Sequence, residues 1–402
     1  MQQSKVYFKG LNGLRFFAAF LVLMQHAESI RQKYSLFHLA DYTFFFSGSL
    51  AVEFFFVLSG FLITYLLLEE DANTGTIDIK NFYMRRVLRI WPLYYLILII
   101  GMLIIPVVIK LLHIEYTAHY PFVTAGLLYV FFLPNLVISI WGSSFLAPLW
   151  SIGVEEQFYF FWAPLVKYFK KYAIGIFFTI IGLRLVFYAY YHHYNHTHTT
   201  PSVALDFINT LKFEAMSIGG LGAWLFYHFR ERMMRTSIFS VSAQIALLGI
   251  IILRFTCHKY LTNEDTTLLG TIYTVIFGSF YSLLFTNALF LWLILNISSN
   301  PKSILTTDNK VLNFLGNISY GIYMYHGIVL FVTIIFMKNI LRTLPPVAAT
   351  IAMYTVSGGL TILTAYISYR FIESKFLKLK KRFEPKAANA KPVEQPAVQI
   401  AQ

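Results

Sequence analysis

Residues 50–68 read LAVEFFFVLSGFLITYLLL, a run in which Glu53 is the sole charged side chain. An unbroken apolar run of this kind is read as a membrane-spanning helix, because in lipid every backbone polar group must be satisfied within the segment and about 20 residues cross the hydrocarbon core. Nine further stretches have the same character, at residues 11–29, 90–111, 148–167, 173–191, 208–228, 238–254, 270–297, 314–336 and 347–371. Composition agrees: the 402 residues are 57% hydrophobic and 13% charged, against roughly 45–50% and about 25% in soluble proteins, and the mean hydropathy is +0.61. A chain of soluble domains is excluded. The expected fold is all-α, a polytopic membrane helix bundle of about ten transmembrane helices. The lone cysteine, Cys257, excludes an intramolecular disulfide and a thiolate metal cluster.

The net charge of +13 raises nucleic acid as a partner only if the cations are not placed by topology. With Lys5 and Lys9 on the cytoplasmic side, ten spans put 21 of the 32 Lys and Arg in cytoplasmic segments and six (Arg31, Lys33, Lys110, Lys259, Lys338, Arg342) in outer loops. That asymmetry obeys the positive-inside rule, gives both termini a cytoplasmic location and removes nucleic acid from consideration. Segment 122–140 is long enough to cross, but Pro121, Pro134 and Asn135 interrupt it, and its crossing would carry Lys167, Lys170 and Lys171 outside. It is therefore read as re-entrant or interfacial on the outer side. Residues 1–375 are expected to form the membrane domain and 376–402 a basic cytoplasmic tail, of which 384–402 has too little apolar content to fold. Arg15 interrupts the first apolar run and no A-x-A-like site follows, so a cleaved signal peptide is not expected.

Ionisable residues inside spans cost at least about 2.5–3.5 kcal/mol each on insertion scales and mark function by default. Arg15 and His26 lie eleven residues apart on the first span, about 1100° of rotation and roughly 16 Å of rise, so they share a face at different depths. Glu53 and Ser59 lie on the second span, and Trp150, Ser151, Glu155 and Glu156 on the fourth; the two glutamates point about 100° apart, so one of them can face the centre that His26 faces. Asn317, Tyr323 and His326 follow on the ninth. His26, Glu53, one of Glu155 and Glu156, and His326 are thus expected to converge at mid-to-outer depth. A histidine beside a carboxylate is a general-base arrangement. At the opposite depth Arg85, Arg86 and Arg89 gather where the third span begins; Arg86 and Arg89 share a face, and guanidiniums so placed suit phosphate. An ordinary positive-inside anchor accounts for the same arginines. The outer-loop histidines His192, His193, His196 and His198 have no carboxylate or cysteine nearby to complete a metal site, so no metal is expected.

These residues resemble the acyltransferase-3 family of integral-membrane O-acyltransferases. The resemblance runs from Gly10 to about Lys375 and is carried by five pieces in order: Leu11-Asn12-Gly13-Leu14-Arg15 with His26 beyond it; Phe54 to Leu62; Arg86-x-x-Arg89 running into Trp91-Pro92; Leu149-Trp150-Ser151 followed by Glu155-Glu156-Gln157-Phe158-Tyr159; and Leu315 through His326. It implies a ten-helix domain in the bacterial inner (plasma) membrane that takes an acyl group, usually acetyl, from cytoplasmic acyl-CoA and passes it to a hydroxyl of an exported glycan or glycolipid at the outer face. By that similarity His26 is the base, Arg15 a required partner on the same helix, and Arg86 and Arg89 the donor-side pair; the residues themselves add Glu155 or Glu156 as the carboxylate and Arg85 as a third cation of the expected acetyl-CoA site. Glu53 departs from the aspartate that the family often has there. Some relatives append a soluble esterase-like domain; the short tail here leaves such a step to another protein.

Direct transfer and an acyl-histidine intermediate both remain open, as do succinyl and longer acyl groups. Ser59 and Ser151 are small enough that packing is their expected role. The rival class is a transporter or flippase using the buried Arg, His and Glu as a proton or substrate pathway. That class gives no reason for three arginines at one helix mouth, and the absence of a visible internal repeat disfavours symmetric transporter folds.

Overall fold

The computed structural model describes residues 8–114, 120–198, 200–256 and 282–385. Among these residues there is no strand. The helices are α1 (Leu11–Lys33), α2 (Gly48–Thr74), α3 (Ile79–Ile99), α4 (Ile105–Leu111), α5 (Phe122–Val130), α6 (Pro134–Trp141), α7 (Leu149–Phe169) and α8 (Ala173–Thr197). They continue as α9 (Val203–Thr210), α10 (Phe213–Met234), α11 (Val241–Thr256), α12 (Ser282–Ser299), α13 (Lys310–Asn317), α14 (Ser319–Thr343), α15 (Pro346–Ser368) and α16 (Ser374–Lys380). Cys257, Lys259 and residues 270–281 of the expected eighth span lie outside the described residues.

Among the described residues six helical stretches are long and apolar enough to cross a membrane: Gly48–Thr74, Ile79–Leu111, Leu149–Asn195, Ser282–Ser299, Ser319–Thr343 and Pro346–Phe383. The stretch Leu149–Asn195 covers α7 and α8, joined by a 3₁₀ turn at Lys170–Tyr172 where the sequence places its lysines. The expected first span forms α1, and its polar face leaves it outside that set. The expected span 208–228 is divided, because Lys212 adopts a left-handed conformation (φ 38°) between α9 and α10. Segment 122–140 is also two short helices, broken at Phe132 (φ 59°) just before Pro134. Its Asn135 is fully buried and donates to Gln157 Oε1 at 3.5 Å and Thr210 Oγ1 at 3.2 Å. The prolines thus break the segment, and a polar anchor ties the second half to the bundle.

The backbone seam between α2 and α10 holds the centre. Lipid tails are as apolar as leucine, so helices in a bilayer associate by close van der Waals packing, which small residues allow. A Cβ on Gly60 would meet the Met216 carbonyl oxygen at 2.0 Å, and one on Gly219 the Val57 carbonyl oxygen at 2.0 Å. Each helix supplies the groove for the other. Helix α1 packs between α2 and α14, and α14 against α15.

The chain does not leave the bundle at residue 376, where the tail was expected to begin. A π turn at Tyr369–Glu373 continues α15 into α16, which lies along α3. A 3₁₀ turn at Lys381–Phe383 follows, and Arg85 donates to the Phe383 carbonyl at 2.8 Å. Leucine and phenylalanine alternating with lysines in Lys375–Phe383 make this an amphipathic return rather than a solvated end. Residues 386–402 lie outside the described residues.

Gly219→Val places branched carbons where the Val57 carbonyl stands, and overpacking of this kind costs about 1–3 kcal/mol. The full-length protein in detergent should melt several degrees lower with Gly219→Val than with Gly175→Val, since nothing lies within 4 Å of a Cβ on Gly175. Equal melting temperatures would mean that the seam yields.

Candidate active site

Asp78 caps α3 by accepting the Asn81 backbone N–H at 2.9 Å, which fixes the start of the helix and hence the direction of its next two turns. Arg86 and Arg89, three residues apart, then face one cavity. Arg15 enters it from α1, Lys380 from α16, and Glu155 from α7. The cavity holds about 190 Å³, and four cations share it with one carboxylate. The Arg86 guanidinium carbon lies 5.7 Å from the Phe82 ring and 5.8 Å from the Tyr159 ring, and its buried Nε has no hydrogen-bond partner. Tyr159 donates to Glu155 Oε2 at 3.2 Å and shares a hydrogen bond with Ser59. Ser59 therefore lines the site, and the packing role expected for it belongs to Gly60.

A second cavity of about 400 Å³ lies toward the Lys33 end of α1, with Gln25, His26, Ser29, Lys33, Ser143 and Ser144 among its walls. What separates the two is thin. Ser151 and Tyr323, both in the wall of the first cavity, share a hydrogen bond at 2.7 Å. One turn along α14, His326 is fully buried, bonds through Nδ1 to the Tyr323 carbonyl, and lies 3.0 Å through Nε2 from His26 Nδ1. The cation cavity and the histidine cavity meet back to back across Tyr323 and His326.

The expected convergence of carboxylates on His26 is absent from this geometry. Helices α7 and α14 run antiparallel here, with Gly327 against Pro148 and Tyr320 sharing the first cavity with Glu155. From the Ser151–Tyr323 contact, Glu155 is four residues one way and His326 three residues the other, roughly 10 Å of axial separation at 1.5 Å per residue. Glu155 therefore accompanies Arg15, Arg86 and Arg89. Glu156 points elsewhere and accepts from Trp91 Nε1 at 2.9 Å. Glu53 lies seven residues before Gly60, about 20° from the same direction, so it faces α10 and sits 3.7 Å from Lys212. Trp150 packs edge-on against Phe56 at 5.8 Å, and Asn317 accepts from Asn12 at 3.3 Å. Arg85 is not with its two neighbours: rotated 100° from Arg86, it forms a buried ion pair with Glu70 and reaches Phe383. Lys380 is a residue of this cavity that the sequence did not single out, because it meets α3 only through tertiary packing.

Residues 8–370 match a family described as an acyltransferase domain, acyltransferase-3. The chain belongs to the acyltransferase-3 family. A Staphylococcus aureus (strain COL) protein with a provisional O-acetyltransferase name is 27% identical over 401 residues, 92% of this chain and 58% of that protein. The peptidoglycan O-acetyltransferase OatA of Listeria monocytogenes is 26% identical over 93% of this chain and 56% of its own length. The O-acetyltransferase OatA of Staphylococcus aureus (strain NCTC 8325 / PS 47) is 25% identical over 93% of this chain and 58% of its own. The chain thus spans a little over half the length of the curated relatives it matches. No solved structure matches it.

Breaking a buried ion pair from one side costs about 3–5 kcal/mol because the other charge is left uncompensated. Arg85→Ala should therefore lower the melting temperature of the purified protein strongly, whereas Arg86→Ala, which removes a charge from the cavity wall, should leave it within a few degrees or raise it. The reverse order in thermal unfolding would contradict the division of labour between these neighbours.

Proposed function

We propose that the chain is a membrane O-acetyltransferase that moves an acetyl group from acyl-CoA to a hydroxyl of an exported glycan. The observation that carries this reading is the back-to-back placement of a cation-rich cavity and a histidine-lined cavity. An acyl-CoA has a phosphate-rich body and a neutral thioester tip. Arg15, Arg86, Arg89 and Lys380 suit the phosphates, and the buried Arg86 Nε is a donor without a partner. The tip would pass between Tyr323 and Ser151 to reach His26. The names of the relatives supply acetyl and, for one of them, peptidoglycan as the acceptor.

In this reading His26 Nε2 removes the proton of the acceptor hydroxyl, and the oxygen attacks the thioester carbonyl. The C–S bond breaks with its electron pair going to sulfur, and the proton returns from His26 to the departing thiolate. Tyr323 OH, which shares a hydrogen bond with Ser151, is the donor that this reading assigns to the developing oxyanion. Glu155 offsets the repulsion among three guanidiniums and is a structural partner of the donor site rather than of the base. The same proposal includes ten spans with both termini cytoplasmic, the cation cavity on the cytoplasmic side, the histidine cavity on the outer side and residence in a bacterial plasma membrane, with the membrane domain extended past residue 375 to take in α16.

Removing a general base slows transfer by roughly 10²–10⁴-fold, so His26→Ala cells should carry acetyl ester on their surface glycans at the level of cells lacking the protein, measured by mass spectrometry. Ester at the wild-type level would end the base assignment. Losing charge-assisted hydrogen bonds worth about 1.5–3 kcal/mol should weaken CoA binding by Arg89→Ala roughly 10- to 100-fold in a thermal-shift titration, with the melting temperature without CoA little changed. A wild-type protein indifferent to CoA would favour a transporter.

A further inference from the structure

We propose that His326 sets the tautomer of His26 and shares the proton that His26 removes, so that a second imidazole does here what a carboxylate does in most base-orienting pairs. The inference deepens the acyl-transfer reading and rests on it only for the identity of the proton donor.

The Tyr323 carbonyl can only accept, so His326 Nδ1, which bonds to it, carries the hydrogen. His326 is fully buried, and among the described residues no carboxylate hydrogen-bonds to it, so its ring is neutral. A neutral imidazole with hydrogen on Nδ1 has a lone pair on Nε2. That lone pair faces His26 Nδ1 at 3.0 Å, with ring centroids 4.9 Å apart. Two lone pairs do not bond, so His26 Nδ1 carries a hydrogen and donates it to His326. The consequence is fixed: neutral His26 has its lone pair on Nε2, and His26 lines the 400 Å³ cavity. An unconstrained histidine in water favours the opposite tautomer, with hydrogen on Nε2 and no base on that atom.

The same chain of bonds carries charge once the base has acted. When His26 Nε2 takes a hydroxyl proton, its Nδ1–H becomes more acidic and shifts toward His326 Nε2. His326 then holds hydrogens on both nitrogens while its Nδ1–H stays on the Tyr323 carbonyl. The positive charge spreads over two rings and a peptide dipole without a carboxylate. The shift reverses when Nε2 gives its proton to the leaving thiolate, so no proton is gained or lost over the cycle. His326 does not contact the reacting atoms in this scheme and is a positioning residue.

Three variants of the full-length protein in nanodiscs separate this role from packing. His326→Gln keeps an acceptor for His26 Nδ1–H, His326→Leu offers none, and His326→Lys offers only a donor. Turnover with acetyl-CoA and a glycan acceptor should stay within about tenfold of wild type for His326→Gln and fall roughly 10²–10⁴-fold in kcat for His326→Leu and His326→Lys, with KM for acetyl-CoA unchanged, as expected for a mis-set base tautomer. Imidazole ¹⁵N NMR, with His26 assigned by its loss in His26→Ala, should show hydrogen on Nδ1 in wild type and His326→Gln, and on Nε2 in His326→Leu. The spectroscopic result does not need catalysis: the expected tautomers in a protein that transfers no acetyl group would uphold the relay and sink the acyl-transfer reading. Equal turnover in all three variants, or the same His26 tautomer in wild type and His326→Leu, overturns the proposal. If His326→Leu does not fold, the His326→Gln and His326→Lys pair decides by the same two readouts.

Discussion

A guanidinium inside a helical bundle in lipid has no bulk water to turn to, and the way each arginine is compensated organises the whole structure. Arg31 is held by Glu28 at 2.9 Å and Thr350 at 2.8 Å, and Tyr354 completes the carboxylate's shell at 2.6 Å. Arg184 lies 3.3 Å from Glu214 and donates to Asn209 at 2.9 Å. Arg85 has Glu70 and the Phe383 carbonyl. Each of these cations is spent on joining helices. Arg15, Arg86 and Arg89 make no ion pair among the described residues, and all three line the cation cavity. Charge left uncompensated in a cavity is an affinity for an anion that is not part of the chain, which divides the arginines into those that hold the fold and those that face a ligand.

The two cavities differ in kind for the same reason. Among the described residues, one gathers four cations, three of them guanidiniums, around a single carboxylate; the other has serines, a glutamine and an imidazole with Lys33 as its one cation. Between them stand a tyrosine, a serine and a histidine whose polar atoms bond to one another. A partition made of satisfied hydrogen bonds is stable while closed, yet it contains no salt bridge, so a neutral group can displace part of it at modest cost. Under the proposed acyl transfer, such a partition suits the passage of a neutral thioester tip better than that of an ion.

Much of the plan was legible in the sequence where spacing along one helix decides the matter. Arg86 and Arg89 fall on one face because they are three apart, and segment 122–140 breaks where its prolines predict. The division between Glu155 and Glu156 was legible as a division, since neighbours on a helix point 100° apart. What the sequence did not reveal depends on the relative height of two helices. His26 was expected beside a carboxylate, but Ser151 and Tyr323 set α7 and α14 level at a point that leaves Glu155 on the far side of the partition. Arg85 looked like a third member of a phosphate clamp until Glu70 and Phe383 came to it from outside the helix. Lys380 was assigned to a tail because nothing local shows that an amphipathic segment will fold back on a helix nearly 300 residues earlier. The count of spans is similarly indirect: among the described residues six stretches qualify by length and composition, while α1, which carries Arg15 and His26 into the two cavities, does not.

The long reach of these closures also bears on biogenesis. Arg85 and Phe383 are 298 residues apart, and His26 and His326 are 300 apart. During synthesis the first helices enter the bilayer with their arginines and their histidine facing places that later helices have yet to fill. Neither cavity exists on a nascent chain until α14 and then α16 have been made, so a polypeptide interrupted before that point holds its buried charges exposed to lipid or to water. Both cavities are therefore products of the completed chain, closed by residues from its last quarter.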